Sequence, residues 1–403
     1  MEDFITDFMQ FTEHAFSPEI FRKWTAIAAV AGAAERRIWV KSGKAVTFPN
    51  LYTLLVAPPA VGKQVIDDVR DLWRETLEPG TKNPAFKVAP DSVTKASLID
   101  TIAKARSTRL PPSGSPYVYH SLLVAAEEFP VLLPSYDLEF MGVLNKIYNN
   151  AAAPYSESRR TGAVREVSID HAQLNILAGV QPGWLQSTFP PEAWTTGFSS
   201  RTIMVYASAT PLIDIFAEIG DLSSVKAKLL AKLALISTKM GELRWDDDAQ
   251  TRMGEWHLAG GPPVPTHSRL TSYAGRRTLH LIKLCCVSAI SRGEFKRITL
   301  FDLERAWSWL FEVEKFMPDI FRAMIGKSDN EVLEEFHSFM LSAWVRNKQA
   351  PIHERMIFAF LRERVPSEKI IKLVEIAERS HMIERFAGTS SYKPLPKYAR
   401  GIE

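Results

Sequence analysis

The feature that most constrains the fold is one continuous strand, loop and helix pattern near residue 60. Residues 50–56 form a nearly continuous apolar run, which is typical of a strand buried at the centre of a parallel sheet. A short loop containing Gly62 and Lys63 follows, and residues 65–77 then show the 3.6-residue periodicity of an amphipathic helix. A buried strand that leads through a short loop into a helix favours an α/β fold.

The loop is similar to the phosphate-binding pattern G-x-x-x-x-G-K-S/T, with two departures. In such a loop the backbone N–H groups and the following helix N-terminus surround the phosphates of a nucleotide, and Lys63 adds a positive charge. Ala57 replaces the first glycine, which is a mild change if its φ is not positive. Gln64 replaces the Ser or Thr that ligates Mg²⁺, so its amide must reach the metal, leave the position to water or weaken binding.

These residues predict a site for ATP and Mg²⁺. A tight turn with an incidental lysine stays open as the alternative. The predicted nucleotide-binding residues are Pro58, Pro59, Ala60, Val61, Gly62, Lys63, Gln64 and Val65.

Composition narrows the class of protein. The 403 residues are 46% hydrophobic and 24% charged, as in an ordinary globular protein. The apolar segment from Trp24 to Ala34 is too short to span a bilayer and runs into charged residues, so we expect neither a transmembrane helix nor a signal peptide. The predicted location is the cytoplasm, that of the host cell if the chain is encoded by a phage, with no membrane partner.

The cysteine positions and the net charge give little further information about the class of protein. Cys285 and Cys286 are adjacent in a segment with helical periodicity, so they predict core or interface thiols rather than a disulfide framework or a zinc site. The net charge of +3 alone says little about nucleic acid.

The pattern along the chain predicts four segments. Strands alternate with helices up to residue 209, helices follow from residue 221, and short helices then precede a hairpin at residues 382–394. We therefore expect a helical lead-in at 1–45, a P-loop NTPase core with a mostly parallel sheet at 46–210, a helical region packed on it at 211–327, and a winged-helix-like module at 328–403.

A pair of acids follows the second apolar strand. Residues 122–126 are apolar and end in Glu127 and Glu128, the arrangement of a Walker B element. In this interpretation Glu127 helps to hold Mg²⁺ and Glu128 activates the attacking water. We expect both acids to face Lys63 from the adjacent strand. The alternative is a strand that ends in two solvated acids.

Two further residues are catalytic candidates. Gln181 ends the apolar run 174–180, and in RecA-like and related motor ATPases an amide at this strand end senses the γ-phosphate; its alternative is a simple cap. Arg201 stands between a Gly/Ser loop and the apolar strand 202–206, where it is placed to reach a phosphate across a subunit interface. Its alternative is a surface arginine in an ion pair.

In this order, the motifs resemble those of phage and prophage P-loop ATPases described as primase-like or helicase-like replication proteins. The family pattern combines N-L-Y-x-L-L-V-x-x-P-x-x-G-K, an acid pair, L-x-G-x-Q-P, G-F-x-S-R and R-x-x-x-H-x-x-K-L. The matching positions are 50–63, 122–128, 177–182, 197–201 and Arg276, His280, Lys283 and Leu284. The resemblance covers roughly residues 10–325 and implies a RecA-like or AAA-like motor, a homo-oligomer forming a hexamer-like ring, and a role in DNA replication.

The C-terminal segment has a modest basic excess. From Arg346 onward there are 12 Lys and Arg residues against 7 Asp and Glu residues. Aromatic Phe386, Tyr392 and Tyr398 lie among these charges and are suited to stack on bases. The helix that begins at Pro366 is the expected recognition helix. We therefore expect single-stranded DNA as a partner, with a protein-binding module as the alternative.

Three functions compete at this stage. The first is a ring-forming, ATP-dependent DNA translocase or helicase of phage-type replication. The second is a nucleotide-gated helicase loader or replication scaffold that recruits a primase or another replication protein and hydrolyses little ATP, which the Gln64 departure favours. The third is a P-loop kinase, which is disfavoured because Arg201 and the basic tail would have no purpose in it.

Overall fold

The computed structural model describes most of the chain as two compact units. The units are Met1–Met324 and Ile325–Glu403. The described residues are 3–90, 95–110, 114–133, 137–149, 154–158, 166–190, 193–194, 197–214, 216, 220–324, 329–362, 364–365, 367–386 and 388–395.

The first unit mixes helices and strands along its whole length. Its helices are α1 (Phe4–Phe11), α2 (Glu19–Ala34), α3 (Val65–Glu75), α4 (Lys95–Lys104), α5 (Leu138–Tyr148), α6 (Pro182–Thr188), α7 (Gly197–Arg201), α8 (Ser223–Thr238), α9 (Asp247–Leu258), α10 (Thr271–Ala274), α11 (Arg277–Ser291) and α12 (Leu300–Met324). Its strands are β1 (Ile38–Ser42), β2 (Ala45–Thr47), β3 (Tyr52–Val56), β4 (Arg106–Arg109), β5 (Tyr117–Ala126), β6 (Tyr155–Ser158), β7 (Glu166–Ile169), β8 (Ala172–Val180), β9 (Thr202–Tyr206), β10 (Gly241–Trp245) and β11 (Arg297–Ile298).

A five-stranded sheet of order β4-β5-β8-β3-β9 forms the centre of the first unit. Strands β5, β8, β3 and β9 are parallel, and only β4 runs antiparallel to its neighbour. Every residue of β3 and β8 is buried, as their apolar sequences require. The expected α/β class with a mostly parallel sheet is therefore confirmed. Because β3, β5 and β8 are parallel, the segments that follow them meet at one edge of the sheet.

A second sheet was missed by the sequence analysis. Strands β11, β10, β1 and β2 form a four-stranded sheet in that order, in which β1 pairs in parallel with β10 about 200 residues later. The β1–β2 turn uses Gly43 at φ +61°. The interval 211–327 was expected to be helical, and β10 and β11 are too short to show a strand pattern of their own. Strands β6 and β7 form a separate antiparallel pair.

Helix α2 packs against α3, the helix that follows the loop containing Lys63. A Cβ added to Gly32 would lie 2.7 Å from the Trp73 ring of α3, so the absence of a side chain at Gly32 lets α2 and α3 pack closely.

Cys285 and Cys286 are buried free thiols on α11, as expected. Among the described residues, no helix is both long and apolar enough to cross a membrane.

The second unit has its own small core. Its helices are α13 (Asp329–Arg346), α14 (Glu354–Arg362) and α15 (Ser367–Arg379), and its strands are β12 (Ile352–His353), β13 (Ile383–Arg385) and β14 (Ser391–Pro394). The strands form an antiparallel sheet of order β12-β14-β13, which includes the expected C-terminal hairpin. Pro366 and Tyr398 lie outside the described residues.

Candidate functional site

The segment of residues 57–64, called the 57–64 loop below, leaves the carboxyl end of β3 and enters α3. Ala57 is fully buried and its φ is not positive, so a glycine is not required at that position. The left-handed conformation occurs instead at Ala60, with φ +66°. The Val61 N–H approaches the Pro58 carbonyl oxygen at 3.4 Å and closes a turn. The condition for tolerating Ala57 is therefore met.

Gly62 is required by packing against the chain that precedes α2. A Cβ at this position would lie 1.6 Å from the backbone oxygen of Phe16, closer than any side chain permits. The buried Ser17 hydroxyl donates to the Gly62 carbonyl oxygen at 2.8 Å. The end of the 57–64 loop is thus fixed by residues about 45 positions earlier, and no local pattern in the sequence indicated these contacts.

The N-terminus of α3 offers a group of backbone donors. Its first turn is closed by hydrogen bonds from Ile66 to Lys63 and from Asp67 to Gln64, of 3.1 and 2.9 Å. Within the described part of the chain, the N–H groups of residues 62–65 donate to no protein acceptor, and the Gln64 side chain does not cap the helix. Unpaired N–H groups at a helix N-terminus carry partial positive charge and favour an anion.

Lys63 approaches the carboxylate of Glu128 at this edge of the sheet. Its Nζ lies 3.4 Å from Glu128 Oε1, and 10% of the Lys63 side chain and 44% of the Glu128 side chain are exposed. The expectation that the acids lie on the strand adjacent to β3 was wrong, because β8 separates β5 from β3. Lys63 and Glu128 approach each other next to Gly179 of β8. A Cβ on Gly179 would lie 2.2 Å from the Glu127 carbonyl oxygen and 2.8 Å from Lys63 Cδ.

Glu127 contacts Asp67, a residue that the sequence analysis did not select. Asp67 Oδ1 also lies 2.8 Å from Arg70 Nη2. Desolvation of the carboxyl, followed by its side-chain interaction with Asp67 and the charge of Asp67, raises the pKa of Glu127 above its ordinary value. Glu127 therefore holds a proton more readily than an isolated carboxyl group does.

The carboxylates fit a magnesium ion only in part. Mg²⁺ prefers oxygen ligands, and it commonly uses one or two carboxylates together with water and substrate phosphates. Glu127 and Asp67 supply two adjacent carboxylates, and Gln64 is exposed at the start of α3. In the ranges that the structure describes, no group of three or more His, Cys, Asp and Glu residues is arranged to hold a metal ion. Bound phosphate oxygens are therefore needed to complete the coordination.

Gln181 lies at the same edge as Lys63. It directly follows β8, whose last residue Val180 is paired with Val56 of β3. Gln181 occupies the N-cap of α6, but its side chain makes no capping hydrogen bond. The half-buried amide is therefore not used as a simple cap.

Arg201 is not brought together with these residues. It lies at the amino end of β9, where Thr202 is paired with Tyr52 at the start of β3, so it is at the opposite edge of the sheet from Lys63. Only 7% of Arg201 is exposed, and its guanidinium donates to the Gly197 carbonyl oxygen at 2.7 Å and to Asn149 Oδ1 at 3.2 and 3.3 Å. Its partners are thus neutral groups of the same chain.

Comparison with known proteins gave no match: neither a protein-family model nor a curated protein aligns with the chain. The resemblance to phage P-loop ATPases therefore stays a prediction.

Proposed function

We propose that the chain is an ATPase whose nucleotide site is the 57–64 loop, facing Glu127 and Glu128 across Gly179. The observation that carries this proposal is the approach of Lys63 to Glu128 at the unpaired N-terminus of α3. A cation, a set of backbone donors and a carboxylate at one sheet edge match the requirements of phosphoryl transfer, which depends on positioning and charge stabilisation.

The proposed mechanism follows from an exchange of partners by Lys63. When a triphosphate enters, Lys63 transfers its contact from Glu128 to phosphate oxygens. The Glu128 carboxylate is then available to accept the proton of an attacking water. Glu127 and Asp67 would hold Mg²⁺, which would supply charge neutralisation on the phosphates. Gln181, at the neighbouring strand end, is placed to contact the γ-phosphate.

The proposed use of this ATPase is DNA translocation or unwinding in phage-type replication, as a hexamer-like ring. Support comes from the resemblance and from the second unit, whose order of helices and antiparallel strands is compatible with a winged helix. Lys369 and Lys372 are exposed on α15, and Arg385 and Phe386 are exposed at the hairpin. Basic and aromatic side chains of this kind bind phosphates and stack on bases. The role of Arg201 in a neighbouring subunit stays a prediction.

A loader or scaffold with little hydrolysis is the second candidate. The observation in its favour concerns the residues predicted to hold the metal: Gln64 carries no hydroxyl, and desolvation together with Asp67 raises the pKa of Glu127, which disfavours its ionised form. A metal that is poorly held weakens hydrolysis more than it weakens nucleotide binding, because much of the phosphate contact comes from Lys63 and backbone N–H groups.

Phosphate release measured with and without single-stranded DNA tests these candidates. For the translocase we expect turnover that rises with DNA and is lost in Glu128→Gln. The matched control is Glu242→Gln, which removes the carboxylate of a separate Lys–Glu pair, 2.8 Å from Lys41. Nucleotide binding without phosphate release in the unmodified protein selects the loader. DNA-independent turnover that persists in Glu128→Gln contradicts the proposed site.

A further inference from the structure

The amino-terminal edge of the central sheet carries a second polar cluster. Asn50 lies two residues before β3, and Arg201 immediately precedes β9. Helix α11 brings His280 and Lys283 to the same region, and Arg276 lies at its N-cap. These residues come from three separate sequence motifs. The five residues of β3, at about 3.3 Å each, place this edge about 15 Å from the 57–64 loop.

The two innermost groups of this cluster offer no free donor to a ligand: Lys283 is bonded within the fold, and His280 donates through Nε2, while its buried Nδ1, which has no partner among the described residues, is an acceptor. Lys283 Nζ lies 2.7 Å from both the carbonyl oxygen and Oδ1 of Asn50, and 3.9 Å from the centre of the Tyr148 ring. His280 Nε2 lies 2.9 Å from the Ser200 carbonyl oxygen, and burial lowers the pKa of His280 to about 3, which keeps it neutral. The residues left to attract a ligand are therefore Arg201 and Arg276.

Among the described residues, neither of these arginines has an acidic partner. The Nε, Nη1 and Nη2 atoms of Arg201 each donate once, to neutral oxygens, so one N–H on each Nη remains. The half-buried Arg276 side chain makes no hydrogen bond or ion pair in the described part of the chain. Burial and the nearby charge of Arg276 lower the pKa of Arg201. Two cations thus lie near each other, and no acid in the described part of the chain pairs with either.

The neighbouring Arg277 shows how this fold compensates a buried guanidinium. Arg277 lies 2.6 and 2.7 Å from the two carboxylate oxygens of Glu314 and also donates to backbone oxygens of the 261–263 loop. Arg276 has no such partner, and its position at the N-terminus of α11, with no acid in the first turn, is unfavourable for a positive charge. The energetic cost of the unpaired Arg276 charge is offset if an anion binds there.

Asn145 is a further polar group beside Arg201. Its Oδ1 is buried and receives no hydrogen bond among the described residues. Its Nδ2 lies beside Arg201: a Cβ on Gly197 would be 2.4 Å from Arg201 Nη1 and 3.0 Å from Asn145 Nδ2. The absence of a side chain on Gly197 thus brings the amide and the guanidinium together. The Nδ2 of Asn145 therefore offers N–H donors beside the Arg201 guanidinium.

We propose that Arg201 and Arg276 form a binding site for a phosphate group, at the edge of the sheet opposite Lys63, with Asn145 as an additional donor. The planar fork of Arg201 suits two oxygens of one phosphate, and Arg276 adds the second charge. The phosphate belongs either to a free small anion or to the backbone of a DNA strand, since both present the same oxygens. The site does not require a nucleotide at the 57–64 loop of the same chain.

The thermal midpoint, Tm, measured against inorganic phosphate at constant ionic strength, tests this site. The background is Lys63→Ala, so that phosphate at the 57–64 loop does not contribute. We expect Tm to rise with phosphate in Lys63→Ala, because a ligand that binds only the folded state stabilises it. The rise is expected to be absent when Arg276→Gln is added, and to persist when Arg297→Gln, at a distant exposed arginine, is added instead.

The Arg276 substitution separates binding from folding. Because the Arg276 side chain holds no protein group, we expect Arg276→Gln to leave the Tm without phosphate unchanged or higher. Arg201→Lys keeps the charge but loses the fork, and we expect it to reduce the phosphate-dependent rise. An equal rise in the backgrounds with and without Arg276→Gln overturns the proposal, as does the absence of any rise.

Binding of a fluorescent oligo-dT to the same variants distinguishes the two sources of phosphate. If the site takes the DNA backbone, Arg276→Gln weakens binding and reduces the salt slope by about one. If it takes a free anion, Arg276→Gln leaves oligo-dT affinity and its salt slope unchanged while still abolishing the response to inorganic phosphate.

Discussion

Substitution of Gly179 by alanine is the sharpest perturbation that the site allows. Gly179 lies in β8, between the strands that present Lys63 and Glu128. Its missing side chain is what permits the close approach, since a Cβ would meet the Glu127 carbonyl oxygen at 2.2 Å and Lys63 Cδ at 2.8 Å. Ordinary contacts of a Cβ begin near 3.4 Å. The Glu127 backbone must therefore retreat by about 1 Å and the Lys63 side chain by about half as much.

The magnitude follows from the kind of atom that must move. Overpacking a buried site costs about 1–3 kcal/mol, and a backbone oxygen on a buried strand end yields less readily than a flexible side chain. Replacing glycine in a strand returns about 0.5–1 kcal/mol. We expect Gly179→Ala to lower the free energy of unfolding by about 2 kcal/mol. Displacing Lys63 from its position removes about one charge-assisted hydrogen bond, or about a tenfold loss in ATP affinity.

Chemical denaturation and calorimetric titration of a non-hydrolysable ATP analogue measure the two effects. The matched control is Gly183→Ala on α6, four residues later, where a Cβ would meet nothing within 4 Å. Alanine in a helix is favourable, so we expect this control to be equally or slightly more stable and to bind ATP normally. If Gly179→Ala behaves like Gly183→Ala in both assays, the argument that Gly179 sets the approach of Lys63 to Glu128 is refuted.

Two further predictions concern ionised side chains of the first unit. Burial and the charges of Asp67 and Asp71 raise the pKa of Asp68 to about 6. Between about pH 4 and pH 6, Asp68 therefore keeps its proton in the folded protein but loses it in the unfolded chain. The free energy of unfolding falls as pH rises through that window. Asp68→Asn should therefore add about 1 kcal/mol of stability at pH 7 and nothing below about pH 4, whereas a pH-independent effect in thermal unfolding would contradict this. Arg277→Met leaves the Glu314 carboxylate buried without its partner and should lower the free energy of unfolding by about 3–5 kcal/mol. Adding Glu314→Leu should restore most of this loss. A loss below about 1 kcal/mol in Arg277→Met would contradict the importance of the pair.

The sequence predicts the parts of the fold that have a local pattern. The apolar run at 122–126 predicted a strand, and it forms the second half of β5, because an uninterrupted apolar run has few other solutions. The second sheet was missed because β10 and β11 are stabilised by pairing with distant or short partners, which no local periodicity reveals.

The same limit applies to the candidate site. Lys63 and Glu128 could be selected from their positions after apolar strands, and the structure brings them within 3.4 Å. Gly179 had a signal that was overlooked, since a lone glycine inside a strand often marks a close backbone approach. Asp67 and Ser17 had no such signal in the sequence, because their place in the site depends on which segments become neighbours in three dimensions.

The position of Arg201 in the sheet depends on strand direction, which the order of motifs along the chain does not give. An arginine next to a strand was expected to reach a phosphate beyond its own subunit. The structure places it at the amino edge of the sheet, bonded to Asn149 and Gly197, because β9 runs parallel to β3 and therefore begins where β3 begins. The direction of a strand, which topology decides, determines the edge to which a flanking residue belongs.

Calorimetric titration of the full chain with a non-hydrolysable ATP analogue and Mg²⁺ is the most direct test of the central claim. We predict saturable binding by the unmodified protein, a loss of at least about tenfold in Lys63→Ala, and normal binding in Lys41→Ala, which removes an exposed lysine paired with Glu242. Absence of binding by the unmodified protein, or equal affinity in Lys63→Ala, would show that the 57–64 loop does not hold a nucleotide.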